Sequence, residues 1–410
     1  MPELYDRAVV VDDIDPDALK VIRRLRRYGY EAYLVGGGVR DLLLGRRPKD
    51  FDIATSARPN EVRALFRNCR VIGRRFRLAH VLFGEGKVVE VATFRRDPLD
   101  AFDTIEGEIA EEEADERSRR KDGDVLIRHD NVFGEPHEDA VRRDFTINGL
   151  FYDTEVGRVI DYVGGMKDLE RNVVRTIGAP DLRFREDPVR ILRAIKFCGR
   201  LDFGMDPDTY DALVALRGEL ARAAKPRLLE ELLRLLRGGA AHRSYWLTWE
   251  TGALAELLPD LAAFLDDDGP DARLFWGRLG AIDTAIEAGK PPSDVVLFAA
   301  LMLGPIQELL GSARDPGEAF DDLMDELVHR LTLPRRMKER MRLIVAAQGR
   351  LRSGKLGTLP RREHFEDAAT LYAIECEARG ERSPDWLDEG AEPLAEAAGD
   401  RPRRRRRRRR

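Results

Sequence analysis

Leu34 to Thr55 read LVGGGVRDLLLGRRPKDFDIAT. The residues from Glu31 to Val35 have the pattern of a short strand, which Gly36-Gly37-Gly38 interrupts. Val39 to Leu44 restarts as a helix that Gly45 ends. Phe51 to Ala54 reads as the next strand. In Lys49-Asp50-Phe51-Asp52-Ile53 the two aspartates stand at i and i+2 of an expected strand, so both carboxylates are expected on one face. Two such oxygen donors repel unless a cation lies between them. Mg²⁺ suits the pair, because it takes one or two carboxylates and completes its shell with phosphates and water. Backbone N–H groups freed by Gly36, Gly37 and Gly38, at a helix N-terminus, make an anion cradle fit for a triphosphate, and Arg40 adds a charge-assisted contact. An isolated Asp-x-Asp is commonplace; its setting next to a triglycine turn is not. A dinucleotide-binding turn is excluded because Asp41 stands where the third glycine belongs, and the chain has no Walker A sequence.

The flanks mix helix and strand signals. Ile14 to Tyr28 and Pro59 to Asn68 are expected helices, and Leu78 to Phe83 pairs with Val88 to Thr93 around Gly84-Glu85-Gly86. Arg95 to Asp124 turns polar and acidic, with Glu111-Glu112-Glu113, as a loop does. Thr146 to Tyr152 and Arg158 to Tyr162 form an expected hairpin. Beyond about Asp181 the periodicity is helical throughout: Pro188–Gly199, Arg227–Arg237, Ala253–Phe264, Arg273–Ala288, Ser293–Leu310, Phe320–Leu331, Arg335–Leu351 and Phe365–Ala378.

Two further clusters carry chemistry. In Arg142-Arg143-Asp144-Phe145-Thr146-Ile147-Asn148, the guanidiniums suit phosphate, while Asp144 and Asn148 suit ribose hydroxyls or support of a metal site. In Arg185-Glu186-Asp187-Pro188-Val189-Arg190-Ile191-Leu192-Arg193, Pro188 fits the first helical position with Asp187 as its cap, and Arg190 and Arg193 share a face. Capping and surface salt bridges would by themselves explain that segment.

The bulk composition excludes several classes. At 410 residues, 43% hydrophobic and 35% charged, the chain is long enough for two or three soluble domains. Cys69, Cys198 and Cys376 are too few and too scattered for a disulfide framework or a zinc pair, and the His129-Asp130 dipeptide reads as a turn. The longest apolar run, Val295 to Leu303, is too short to span a bilayer, and no charged-then-apolar leader opens the chain, so a cytoplasmic location is expected. Net charge is −5, and setting aside the nine arginines of residues 401–410 leaves −14. This cationic end, unbroken from Arg403 to Arg410, suits phosphates through counterion release.

Taken together and in order, LVGGGVRDLLLGRRPKDFDIAT, RRDFTINGL and EDPVRILRAIKF resemble the class II tRNA nucleotidyltransferase and bacterial poly(A) polymerase family of the polymerase β superfamily, densely over about residues 30–200. The resemblance implies an α/β (α+β) nucleotidyltransferase palm followed by helical neck, body and tail. Its expected bounds are a palm at 1–165 with the acidic loop 95–124, a neck at 166–240 that reads the base and contacts RNA, a body at 241–390 and a disordered tail at 391–410. It implies that Asp50 and Asp52 hold Mg²⁺ and that Gly36, Gly37 and Arg40 face the triphosphate of ATP. By the same resemblance, Arg143, Asp144 and Asn148 would lie near the ribose and reaction centre, and Asp187 and Arg190, with Arg193 on the same face, would present a protein edge to the incoming base. The resemblance also leads one to expect Glu90, in VVEVATFR, as a further carboxylate near the metals. The longer phrases VIGRRFRLAHVLFG, VVEVATFR, RHDNVFGEPHEDAVRRDFTING and HFEDAATLYAIECEARGE, with the basic C-terminal end, are more similar to the poly(A)-adding branch than to the tRNA-specific one. The acidic stretch from Asp97 to Glu116 is longer and more negative than that branch leads one to expect. The expected activity is adenylyl transfer to RNA 3′ ends, with CCA or A addition to tRNA as the alternative and a non-catalytic RNA binder as the third reading.

Overall fold

The computed structural model describes residues 1–6, 9, 11–73, 77–96, 132–267 and 269–384. The acidic stretch beyond Arg96, the His129-Asp130 pair and the arginine run from Arg403 lie outside the described residues. The chain divides into two compact units, residues 1–198 with 202–219, and residues 199–201 with 220 onward.

In the first unit, β1 (Glu3–Tyr5) precedes α1 (Pro16–Arg27). Asp15 caps α1 by accepting from the Asp17 amide at 2.8 Å, and Pro16 occupies a position that needs no N–H. Arg24, Arg26 and Arg27 complement the negative end of the helix dipole, and Ala18, Leu19, Val21, Ile22 and Leu25 form its buried stripe. Next come β2 (Ala32–Val35), α2 (Gly37–Leu43), β3 (Asp52–Thr55), α3 (Pro59–Leu65), β4 (Cys69–Ile72), β5 (Leu78–Leu82) and β6 (Val88–Thr93). After α4 (Pro136–Val141) follow β7 (Leu150–Asp153), β8 (Arg158–Asp161), α5 (Gly165–Glu170), β9 (Val173–Val174), α6 (Pro180–Glu186), α7 (Val189–Leu201), β10 (Gly204–Met205) and α8 (Pro207–Leu216).

β1 to β8 make one mixed sheet in the order β1-β8-β7-β2-β3-β6-β5-β4. Its described neighbours are antiparallel except β3 and β6, which run parallel with Asp52 opposite Glu90. One core cluster gathers Val35, Ala54, Phe94, Ala140 and Phe151. Phe151 meets Tyr33 and Tyr162 edge-on at 6.0 and 5.8 Å, the geometry their ring quadrupoles favour.

Three expectations need correction. The strand expected at Phe51–Ala54 begins at Asp52, so Asp50 stands in the approach to the strand rather than within it. The strand expected from Thr146 starts as a 3-10 turn, Thr146–Asn148, and becomes β7 only at Leu150. The region beyond Asp181 is not purely helical, because β10 pairs in parallel with β9.

The second unit is helical: α9 (Lys225–Arg237), α10 (Ala241–Glu250), α11 (Ala253–Leu257), α12 (Pro259–Asp266), α13 (Pro270–Glu287), α14 (Asp294–Ser312), α15 (Pro316–Leu331), α16 (Arg335–Arg352) and α17 (Phe365–Ala378). The single helix expected over Ala253–Phe264 is broken at Leu258, because Pro259 has no N–H to continue the ladder. α14 is long and apolar enough to cross a membrane by composition, yet every residue from Val296 to Ile306 is buried, and the helix packs on α13, α15, α16 and α17. It is the core helix of this unit.

Candidate active site

The turn between β2 and α2 is shaped by close approaches. Gly36 has φ +70°, a conformation that costs glycine little and other residues much, and its amide donates to the Leu150 carbonyl at 3.2 Å. A Cβ on Gly36 would stand 3.0 Å from Nη1 of Arg143, and one on Gly38 would stand 3.3 Å from the backbone oxygen of Asp50. The triglycine turn is therefore wedged between the approach to β3 on one side and Arg143 on the other. Gly37 opens α2 and remains partly accessible.

Asp52 is the first residue of β3. Its neighbour across the parallel ladder is Glu90, and Glu90 is in turn opposite His80 on β5. Residues in register project to the same face, so the three side chains form a row. The Nε2 of His80 lies 3.3 Å from Oε2 of Glu90. The side chain of Asp52 is open to solvent, yet protein around it strips away part of its hydration. That burial comes first in raising its pKa, the charges of Glu90 and Asp50 add to it, Arg143 opposes it, and the carboxyl is pushed up to about 6. Among the described residues no three His, Cys, Asp or Glu side chains close into a cage. An open pair of carboxylates crowded by a third fits a hard divalent cation that takes its other ligands from phosphate and water.

Behind this row lies a buried polar network. Asp144 accepts at Oδ2 from Nε of Arg193 at 2.7 Å, and at Oδ1 from the Phe145 amide at 2.8 Å and from Nδ2 of Asn148 at 3.1 Å. Burial alone would push its carboxyl up. Arg193, Asn148, Arg190 and the Phe145 amide outweigh it and hold the group down at about 2. Asn148 also accepts at Oδ1 from Nη1 of Arg40 at 2.6 Å, and its backbone carbonyl accepts from Nη1 of Arg143 at 3.3 Å. Arg40 is buried, bonded to Asp41 through Nε and Nη2 at 2.9 and 2.7 Å, and 5.1 Å from the ring of Phe197. The structure thus places Arg40 inside the scaffold, meeting Asp41 and Asn148, whereas Arg143 stands half-buried beside Gly36.

The third cluster is arranged differently from its expected capping pattern. Asp187 ends α6 and donates its amide to the Arg183 carbonyl at 3.3 Å, while α7 begins at Val189 after Pro188, whose side chain offers no cap. Asp187 is thus the junction of the two helices, and its carbonyl accepts from the Arg190 amide at 2.9 Å. Arg190 turns onto Oε2 of Glu186 and the Arg183 carbonyl, both at 2.9 Å, while Arg193 reaches Asp144, so the two arginines of one helix face serve different partners.

Four supporting residues escaped the motif reading. Asp139 accepts from Nη2 of Arg143 at 2.9 Å and from the Arg95 amide at 3.2 Å. Arg183 donates through Nη2 to the carbonyls of Arg142 and Arg143, both at 2.6 Å, and through Nη1 to Glu186 at 2.7 Å. Asp139 precedes Arg143 by one helical turn, and Arg183, Glu186 and Arg190 follow i, i+3, i+7 spacing, which is the signal that could have found three of them. His80 carries no such spacing; only the sheet register shows it.

A family model described as Poly A polymerase head domain matches residues 32–175, and one described as probable RNA and SrmB-binding site of polymerase A matches residues 202–265. Poly(A) polymerase I of Salmonella typhimurium is 41% identical over 361 residues, 85% of this chain and 75% of that protein. The chain belongs to the poly(A) polymerase family. It is accordingly a nucleotidyltransferase. A CCA-adding enzyme of Geobacillus thermodenitrificans is also 41% identical, but over 245 residues, 60% of this chain and 55% of that enzyme. The crystal structure of the Bacillus stearothermophilus CCA-adding enzyme in complex with CTP has a TM-score of 0.65 at 26% identity and covers 94% of this chain and 93% of its own. A poly(A) polymerase head of this kind, with a mixed sheet followed by helices, is the polymerase β-like nucleotidyltransferase fold expected from the motifs.

Proposed function

We propose that the chain transfers AMP from ATP to the 3′-hydroxyl of RNA, releases pyrophosphate, and repeats the step without a template. The observation that carries the chemistry is the placement of Asp52 in register with Glu90, beside Asp50 and within the field of Arg143. Asp50 and Asp52 would hold Mg²⁺, which when bound would acidify the attacking hydroxyl and offset charge on the departing phosphates. The chain's own groups do the rest. Gly36 and Gly37 leave space for phosphate oxygens at the turn, and Arg143, anchored by Asp139, meets their charge. Asp144 and Asn148, locked by Arg193 and Arg40, hold the ribose side of the site in one geometry. Asp187 and Arg190, braced by Glu186 and Arg183, present a fixed edge to the base. Residues 1–165 act as the palm, 166–240 as the neck, 241–390 as body and tail, and 391–410 as a cationic extension toward RNA. With RNA and ATP as partners, we place the protein in the cytoplasm, in RNA polyadenylation and mRNA processing.

Poly(A) addition is favoured over CCA addition because the identity to poly(A) polymerase I runs over 85% of the chain, against 60% for the CCA-adding enzyme. The CCA reading stays as the second one, on the TM-score of 0.65 to a CCA-adding enzyme. Incubation with Mg²⁺, labelled ATP and either an unstructured RNA or a tRNA lacking its terminal nucleotides decides between them. A ladder of long products on both supports the proposal. Addition confined to completing the tRNA end supports the second reading, and no extension of either rejects both.

A further inference from the structure

A band of positive charge lies on the first unit away from the catalytic row. Arg23, Arg24 and Arg27 of α1 and Arg63 and Arg67 on and after α3 are exposed, and none makes a hydrogen bond or ion pair with a described residue. Arg24 lies 5.9 Å from the ring of Tyr28 and 5.5 Å from that of Phe66, and α1 packs on α3, which brings the two arginine stretches side by side. The carboxylates around them are fewer than the arginines: Glu31, Asp153 and Glu155 line the same cleft as Arg23 and Arg27, the latter two paired with Arg26 at 2.9 Å each, and Glu61 accepts from the Arg58 amide at 2.7 Å. Five exposed guanidiniums on or just after two packed helices, in a chain whose net charge is −5, leave a local excess of positive charge among the described residues. Tyr28 adds a ring that is 58% exposed.

We propose that this α1–α3 face binds the backbone of single-stranded RNA upstream of the 3′ end being extended. Arginines that track phosphates, interleaved with an exposed aromatic on which a base can stack, make the sequence-tolerant single-strand surface. An acidic protein would be served by the charges alone and has no use for the exposed ring. The face lies outside the segment matched as an RNA-binding site, residues 202–265. Arg67 sits two residues before Cys69 of the edge strand β4, which is separated from β3 by β6 and β5, and α1 lies at the other end of the strands from the chemistry: it ends just before β2 begins, and only the last residue of β2, Val35, is paired with Asp52. That strand spans roughly 10 Å, so only a primer of several nucleotides can reach both places.

The inference rests on RNA being the substrate, and its test keeps the two apart. The full chain and the triple variant Arg23→Glu, Arg27→Glu, Arg67→Glu are compared for binding of a labelled unstructured RNA of about 20 nucleotides as salt is varied, and for extension of that RNA and of a primer of about four nucleotides. The slope of log affinity against log salt should become shallower by about 2, the KM for the long RNA should rise about tenfold or more, and the short primer should be extended as before. Arg→Gln at the same positions should give the same pattern more weakly, and Tyr28→Ala should weaken binding severalfold without changing the slope. An unchanged slope and KM on the long RNA overturn the assignment, and so does an equal loss on both primers, since the short one cannot touch this face. If the parent extends neither primer, the adenylyl-transfer reading fails, while the salt slope still decides the face.

Discussion

Asp144 and Arg193 are 49 residues apart in sequence, and Nε of Arg193 donates to Oδ2 of Asp144 at 2.7 Å. The pair ties α7 to the segment that precedes the Thr146–Asn148 turn. Asp144 is buried and its folded pKa of about 2 lies below the unfolded carboxylate value near 3.9. A depressed acid contributes stability above its unfolded pKa and loses it as pH falls through the folded one. The contribution is on the order of 2 kcal/mol. Urea titrations of the parent should therefore lose about that much between pH 5 and pH 2, and Asp144→Asn should flatten that part of the profile. An Asn variant with the parent's acid dependence would show that the stabilising charge lies elsewhere.

Asp52 shows the opposite sign. Its folded pKa of about 6 is above the unfolded value, so its ionisation works against the fold as pH rises from about 4 to 6 and beyond. In chelator at pH 8, Asp52→Asn should melt at or above the parent temperature. In the same variant, AMP incorporation should fall by about a thousandfold or more, as expected of a residue that sacrifices stability for function. A lower melting temperature together with retained incorporation would reject its place at the reaction centre.

Gly36→Ala tests the turn. The added Cβ meets Nη1 of Arg143 at 3.0 Å and the residue must still adopt φ +70°, a cost of about 1–3 kcal/mol. The melting temperature should drop, and the KM for ATP should rise as Arg143 is displaced. Gly45→Ala has the same sign of φ, at +66°, with nothing within 4 Å. It should cost stability alone and leave the KM for ATP where it was.

Arg190 is held by Glu186, so the base-edge role has an indirect test. Arg190→Ala should narrow the ratio of ATP to CTP incorporation without weakening triphosphate binding. Glu186→Gln keeps Arg190 but loosens it, and should shift the ratio the same way by less. Competition between the two nucleotides in one reaction reads both. Unchanged ratios in both variants would remove this edge from base selection.

These residues also show where sequence pattern stops. The palm was legible because the triglycine turn, the Asp-x-Asp and the alternating strands each carry a local signal. The local pattern does not distinguish Asp50 from a strand residue, whereas the ladder with β2 and β6 begins only at Asp52. Pro188 suggests the first position of α7, but the helix begins one residue later, at Val189, with α6 ending against it at Asp187. β1 and β4 are short edge strands whose pairing partners decide them, so neither was foreseen. The Glu90–His80 contact and the Arg40–Asn148 bond join residues that only the sheet register and the packing of α2 bring together. Charged side chains that end up buried in such pairs look like solvated ones in sequence.

The second unit holds the severest case of that kind. Arg278 on α13 is 1% exposed, and its Nη1 lies 3.1 Å from Oε2 of Glu375 on α17, while Oε1 of Glu375 accepts from Nη2 of Arg379 at 2.7 Å. Taking two charges out of water is costly, and their attraction returns that cost only while both are present. Glu375→Ala leaves Arg278 charged, buried and without its counter-ion, and should lower the unfolding free energy by about 3–5 kcal/mol. Arg278→Met with Glu375→Leu removes both charges and should recover most of the loss, because hydrophobic replacement of such a pair is close to neutral. Arg379 then loses its partner but stays at the surface, where that matters little. Thermal melts of the parent, the single variant and the double variant check the argument. A double variant as unstable as the single one would mean that the pair is stabilising in its own right, beyond the mutual neutralisation of its charges.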